Sequence, residues 1–296
     1  MLLQIGIYMY VCKKHIASQI MGKMTQQKKK EHIGLSPYAL VFRGEKKTEK
    51  VQVKAFDYTG ETLNELDIAE PKDLQQLNTN VTTTWINVYG VDNAKLMTAI
   101  ADTYNINPLL LSEVMNPDAL PKCRETQNAT LFNIKLMESS HSKQIAENIS
   151  FIITENTLFT FQEKQANFFN PVRERIRAVK SKIRQSGTDY LAFALLDMVI
   201  DNYIYHLGTL GTRIEEIEDE FTAHPKDELP KKISDLRREL NHIRKMILPA
   251  RDMMYTLLKT DNNLLKDENQ IHYKELIDNT NEAISITDHY REHLYD

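Results

Sequence analysis

Between Thr188 and Phe221, apolar residues recur at alternating steps of three and four: Phe193, Leu196, Ile200, Tyr203, Leu207, Leu210, Ile214, Ile217 and Phe221. That repeat belongs to a helix burying a narrow seam. After a break at Pro225 and Pro230, the alternation resumes through Ile233, Leu236, Leu240, Ile243, Ile247, Ala250, Met254 and Leu257, which predicts a second helix antiparallel to the first. At about 1.5 Å per residue each arm is roughly 45 to 50 Å long, so the hairpin must project or lie along something else. A third helical pattern, 269–296, follows the polar stretch 260–268, with Tyr273, Leu276, Ile277, Ile284, Tyr290 and Leu294 set among Thr280, Ser285, Thr287 and many acids. A helix this polar is expected to pack against copies of itself or beside a wet channel. It also ends without a stop signal, as a longer helix cut short would.

The first half has a different texture. Residues 51–58 and 82–89 read as strands, the second holding the sole tryptophan, Trp85. Between them, Glu70-Pro71-Lys72-Asp73 predicts a helix start. Asn93 caps a predicted helix through Tyr104, and Asn107-Pro108 opens a short one carrying Glu113. After Pro117 and Pro121, three further strands are predicted at 129–137, 148–154 and 157–163, with Glu155-Asn156 as a hairpin turn. Asn170-Pro171 is read as the cap of a basic helix over 172–185. The fold class is therefore α+β: a mixed α/β sandwich domain, then a long antiparallel helical hairpin.

Composition narrows the classes. A formal charge of −4 argues against a nucleic-acid partner, and Cys12 and Cys123 lack metal-type spacing, which suits a reducing compartment. No run of about 18 uncharged apolar residues occurs, so no helical membrane span is expected within the chain. Residues 2–12 are too short for one and lack a basic leader; they read as an extension upstream of a start at Met24, making 1–33 a flexible leader. Acids 215–220 crowd the end of the first hairpin arm and basic residues line the second, as solvated faces attracting each other.

Enzyme templates are absent: no GxSxG, GxxxxGK[ST], HExxH or CxxC occurs, and the chain reads as a non-enzyme. His289 and His293, four apart, read as solvent-facing rather than as a zinc pair. The basic stretch 172–185 has no interleaved aromatics or glycine-rich loop, and reads as a solvated face rather than a phosphate site. The acids have two readings. Asp197 and Asp201 share one helical face, and Glu113, Glu275 and Asp278 have apolar neighbours; they are either solvent-facing or convergent from separate segments on a hard divalent cation, which takes oxygen ligands.

Several stretches together resemble the cytoplasmic part of the CorA family of divalent-cation transporters: Thr84-Trp85-Ile86-Asn87 with Gly90, Asn107-Pro108-Leu109 through Glu113, Phe161-Gln162-Glu163-Lys164, the run 170–177, Asp189-Tyr190-Leu191 and Ile247-Leu248-Pro249. The resemblance runs from about Gly34 to the last residue. It implies a funnel-shaped homopentamer with an α/β domain at 34–187, the hairpin at 188–259 and a truncated stalk helix at 260–296 leading to absent transmembrane helices. The whole transporter would lie in the cell inner membrane, with this soluble region cytoplasmic and the acidic hairpin tip toward the membrane. Mg2+ is implied as both regulatory and transported ion, with Co2+ or Zn2+ as further cargo. Regulatory Mg2+ would sit between subunits, carried over onto Glu113, Asp197 and Glu275. Ser112 stands where the family has an acid and Asn279 where it has a histidine, and with Ser112 the second of the family's two cation positions lacks a carboxylate. The alternatives are a ZntB-like zinc transporter domain, a soluble coiled-hairpin interaction module and, more distantly, a metal-dependent hydrolase.

Overall fold

Seven strands form one mixed sheet in the computed structural model: β1 (Gln52–Tyr58), β2 (Leu63–Ile68), β3 (Thr83–Tyr89), β4 (Lys122–Glu125), β5 (Thr130–Ser140), β6 (Lys143–Ile153) and β7 (Thr157–Gln162), in the order β2-β1-β3-β7-β6-β5-β4. The structure describes residues 34–48, 50–77, 81–140, 143–223 and 229–295. Only β3 and β7 pair in parallel; the other neighbours are antiparallel. The chain forms two units, 1–39 and 40–296. Of the first, 34–39 is described, with Ala39 N donating to Ser36 O at 3.0 Å. The expected leader 1–33 lies outside the described residues, and all that follows concerns the second unit.

Alternation along the strands sends side chains to two cores. Val53, Ala55, Ile86, Val88, Phe159 and Phe161 face α1 (Ala94–Tyr104), α2 (Pro108–Val114) and a 3-10 turn (Pro71–Leu77). Phe56, Tyr58, Trp85, Phe132, Phe151 and Leu158 face the opposite side. There they meet α3 (Asn170–Arg177), α4 (Thr188–Ala223), α5 (Leu229–Leu257) and α6 (Gln270–Tyr295). Trp85 is fully buried and Nε1 donates to Thr160 Oγ1 at 3.0 Å, which satisfies the one polar atom of that side chain.

The expected α+β class and the main helices are present. Asn93 caps α1 by accepting from Leu96 N at 3.1 Å, and Asn107 caps α2 by accepting from Leu109 N at 2.9 Å. The helix start expected at Pro71 is present, and the helix is of 3-10 form. Several local expectations are corrected. Pro230 sits inside the first turn of α5, where a missing N–H costs nothing, rather than in the break before it. The basic helix ends at Arg177 instead of Gln185, and Asn170 is its first residue with Phe169 at the cap position. Its early end has a local cause: the Ile176 carbonyl accepts from Arg184 at 3.1 Å, where a continuing helix would supply an amide.

The hairpin is one part of a three-helix layer. Arg213 pairs with Glu239 at 2.7 Å and Lys232 with Glu220 at 2.6 Å, which fixes α4 and α5 antiparallel. The α6 stripe Tyr273, Leu276, Ile277, Thr280, Ala283 and Thr287 is buried. It shares one core with the two arms, so neither another copy nor a channel is needed to cover it. Buried Thr280 and Thr287 donate back to Leu276 O and Ala283 O, both at 2.7 Å, which is how a polar helix meets an apolar core without orphaned hydroxyls.

Candidate metal centre

The start of α4 is anchored before it reaches its acids. Asp189, 1% exposed, accepts from Tyr190 N at 2.9 Å with Oδ1. Its Oδ2 accepts from Lys266 N at 3.0 Å and Asn269 Nδ2 at 2.9 Å. One buried carboxylate thus ties α4 to the approach of α6, and the Tyr273 hydroxyl donates to the Asp189 carbonyl at 2.8 Å. Two turns on, Asp197 is half-buried and Asp201, four residues later, is exposed. Glu275 on α6 is exposed beside them. The Asp197 carboxyl is held above the usual aspartate range, first by burial and then by the Asp201 charge; Glu275 pushes the same way and Arg175 opposes. This face gathers the carboxylates of Asp197, Asp201 and Glu275, with Arg175 as the cation that acts on Asp197.

Glu113 is elsewhere. On α2, against the other side of the sheet, it pairs with Lys122 Nζ at 2.6 Å and Arg124 Nε at 2.7 Å. Both cations stand on edge strand β4, which sequence reasoning did not predict. The signal was faint: four residues, Lys-Cys-Arg-Glu, after a proline. Ser112, in the position where an acid was expected, is buried and its hydroxyl donates to Leu109 O at 2.8 Å. Within one chain, then, Asp197 and Glu275 lie close to each other and Glu113 does not join them. Among the described residues no group of three His, Cys, Asp or Glu side chains converges to hold a metal ion. His289 and His293 touch ring to ring, 4.5 Å between centroids, and His293 Nδ1 lies 3.3 Å from Glu218. Arg175, which tempers Asp197, was expected only as part of a solvated basic face.

The family profile described as CorA-like Mg2+ transporter protein matches residues 80–296. The chain belongs to the CorA-like family. The cobalt/magnesium transport protein CorA of Thermotoga maritima is 28% identical to this CorA-like chain over 262 residues, covering 88% of the chain and 74% of that protein. The soluble domain of CorA from Methanocaldococcus jannaschii has the same fold, with a TM-score of 0.66 at 20% identity, covering 82% of this chain and 93% of that one. So does the ZntB cytoplasmic domain from Vibrio parahaemolyticus, with a TM-score of 0.64 at 9% identity, covering 82% and 93%. Among the described residues no helix of this CorA-like chain is long and apolar enough to cross a membrane.

Proposed function

We propose that this chain is the cytoplasmic metal-sensing domain of a CorA-like divalent-cation transporter of the inner membrane, carrying Mg2+ and Co2+ and gated by Mg2+ bound between subunits of a homopentamer. Glu113, Asp197 and Glu275 are the assigned ligands, and the membrane-crossing helices are assigned to a part of the protein outside the described residues. The observation that carries the reading is the acidic face of α4 and α6, where Asp201 and Glu275 stand within electrostatic reach of the half-buried Asp197 and, with burial, raise its pKa against Arg175. Its donors are all carboxylate oxygens, the chemistry a hard divalent cation prefers. That Glu113 lies apart from this face in one chain supports a ligand set completed by a second copy.

In this reading, acids facing each other across a subunit boundary repel, and Mg2+ neutralises them, so high internal Mg2+ favours the closed ring and depletion loosens it. Each site contributes about 1.4 kcal/mol at a tenfold excess of cation over Kd, and a ring multiplies that contribution. Glu113 adds a competition: its carboxylate must leave or share Lys122 and Arg124 when the cation arrives.

Limited proteolysis of the assembled pentamer across a millimolar Mg2+ titration tests this. Mg2+ is expected to protect the wild type, and Glu113→Ala, Asp197→Ala and Glu275→Ala are each expected to abolish the protection. Identical cleavage with and without Mg2+ would end the sensor assignment. The fold likeness to the ZntB domain favours one second reading, a zinc transporter domain. Protection by micromolar Zn2+ with none by Mg2+ would select it.

A further inference from the structure

The basic stretch around α3 does more than face solvent. Arg173 is only 7% exposed. Its guanidinium donates to Asn170 Oδ1 at 2.6 Å, to Tyr89 Oη at 2.6 Å and to Asn87 Oδ1 at 3.2 Å. It also lies 5.4 Å from the centre of the Trp85 ring. All these partners are neutral. Burial draws its pKa down, yet an arginine stays protonated in a protein, so a full positive charge is held here without a carboxylate in contact.

That charge lines a cavity of about 150 Å³. Sheet alternation explains who else is there. Lys54 of β1 is registered against Asn87 of β3, and Phe56 against Trp85, so Lys54 and Tyr89 point to the face that α3 covers. The cavity is lined by three cations, Lys54, Arg173 and Arg177, and one anion, Glu65. Arg177 is spent: it grips Glu65 through two bonds of 2.6 Å and reaches Glu174 with its remaining nitrogen, also at 2.6 Å. Lys54 has only a long contact, 3.8 Å, to an Asp67 side chain that is 84% exposed. Glu65 attracts both Lys54 and Arg173 through space but is itself gripped by Arg177, so among the described residues these two cations remain without a carboxylate at hydrogen-bonding distance, with the amides of Gln165, Asn167 and Asn170 as additional donors.

We propose that this cavity between β1, β3 and α3 is a binding site for a small oxyanion of the phosphate class. Fixed guanidinium N–H groups and a mobile ammonium are the pair that phosphate oxygens recognise, one by geometry and the other as a point charge. The volume admits an inorganic ion or the phosphate end of a small ester. It falls short of the roughly 300 Å³ or more that larger ligands occupy. The Trp85 ring under the guanidinium and the Tyr89 hydroxyl hold Arg173 in place, while Lys54 at the half-exposed rim leaves the cavity open for an ion to enter.

Isothermal titration of the full chain with inorganic phosphate, against chloride at matched ionic strength, is the test. One saturable phosphate per chain is expected, displaced by sulfate. Lys54→Gln alters a half-exposed rim residue and is expected to weaken binding about tenfold, the loss of one charge-assisted contact, with an unchanged melting temperature in chloride. Arg173→Met is expected to remove binding, but it also strips Asn87 and Tyr89 of a partner, so Lys54→Gln is the deciding variant. No saturable heat in the wild type overturns the proposal. So does a change of less than about threefold in Lys54→Gln, because phosphate stabilises proteins generally by exclusion from their surfaces. Tighter binding of glycerol phosphate than of phosphate would assign the site to a phosphate ester, and the reverse order to the free ion.

Discussion

Glu147 shows how one buried carboxylate sets a pH dependence. It is 1% exposed; Oε1 accepts from the backbone N–H groups of Glu163 and Lys164 at 3.1 and 3.3 Å, while Oε2 has no hydrogen-bond partner among the described residues. Burial first, and the Glu138 charge next, push its pKa up to about 7 from an ordinary 4.5. The folded chain thus holds this proton more tightly than the unfolded chain, so stability falls as pH rises from about 4.5 to about 7 and stays reduced above. Glu147→Gln keeps the Oε1 acceptor and removes the charge. It is expected to raise stability at about pH 8 by on the order of 2 kcal/mol and to leave it unchanged near about pH 4, read by urea melts at both. Asp197 has the same sign: its raised pKa makes the ionised form a cost to the fold above the ordinary aspartate range. Asp197→Asn is therefore expected to raise the melting temperature of the chain at neutral pH without Mg2+. In the proposed pentamer, the same variant is expected to lose Mg2+ protection.

At the scale of elements, the long helices are held by a few contacts that periodicity does not display. Asp189 is the join between α4 and the segment entering α6, and Asp189→Ala leaves Lys266 N–H and the Asn269 amide without their acceptor. A loss of about 2–4 kcal/mol is expected in equilibrium unfolding, with proteolysis beginning near residue 266. Gly211 on α4 leaves room for Tyr290 of α6: a Cβ there would overlap the Tyr290 hydroxyl and meet Cζ at 2.7 Å. Gly211→Ala is expected to destabilise despite alanine's helix preference. Adding Tyr290→Ala is expected to restore up to about 1 kcal/mol of that preference, a positive coupling readable from the double-mutant cycle.

For the whole molecule, the governing feature is a single sheet with helices on both faces. Glu113 belongs to the layer on one face, and Asp197 with Glu275 to the layer on the other. If the proposed Mg2+ site joins all three, it needs a second copy, so under that proposal Mg2+ is expected to leave the melting temperature of a monomeric preparation nearly unchanged and to raise that of an assembled pentamer. Analytical ultracentrifugation with parallel melting curves checks this. Equal shifts in both would mean that the cation binds within one chain.

The sequence by itself determined the elements that bury their own pattern. The seam of α4 and α5, the alternation of β1, β3 and β7, and the caps at Asn93 and Asn107 all depend on neighbours within a turn or a strand, so they are legible one residue after another. The acids Asp197 and Glu275 were legible as candidates for the same reason, since each stood beside an apolar stripe. Tertiary structure alone decided the rest. Edge strand β2 has no apolar alternation and exists because β1 offers it a ladder. The cations that meet Glu113 sit on an edge strand held in the same way by β5. Arg173 and Arg184 look in sequence like a solvated basic run and are buried because distant carbonyls, amides and a phenol receive them. A backbone edge or a buried charge is stabilised by partners far away along the chain, and no local period records them.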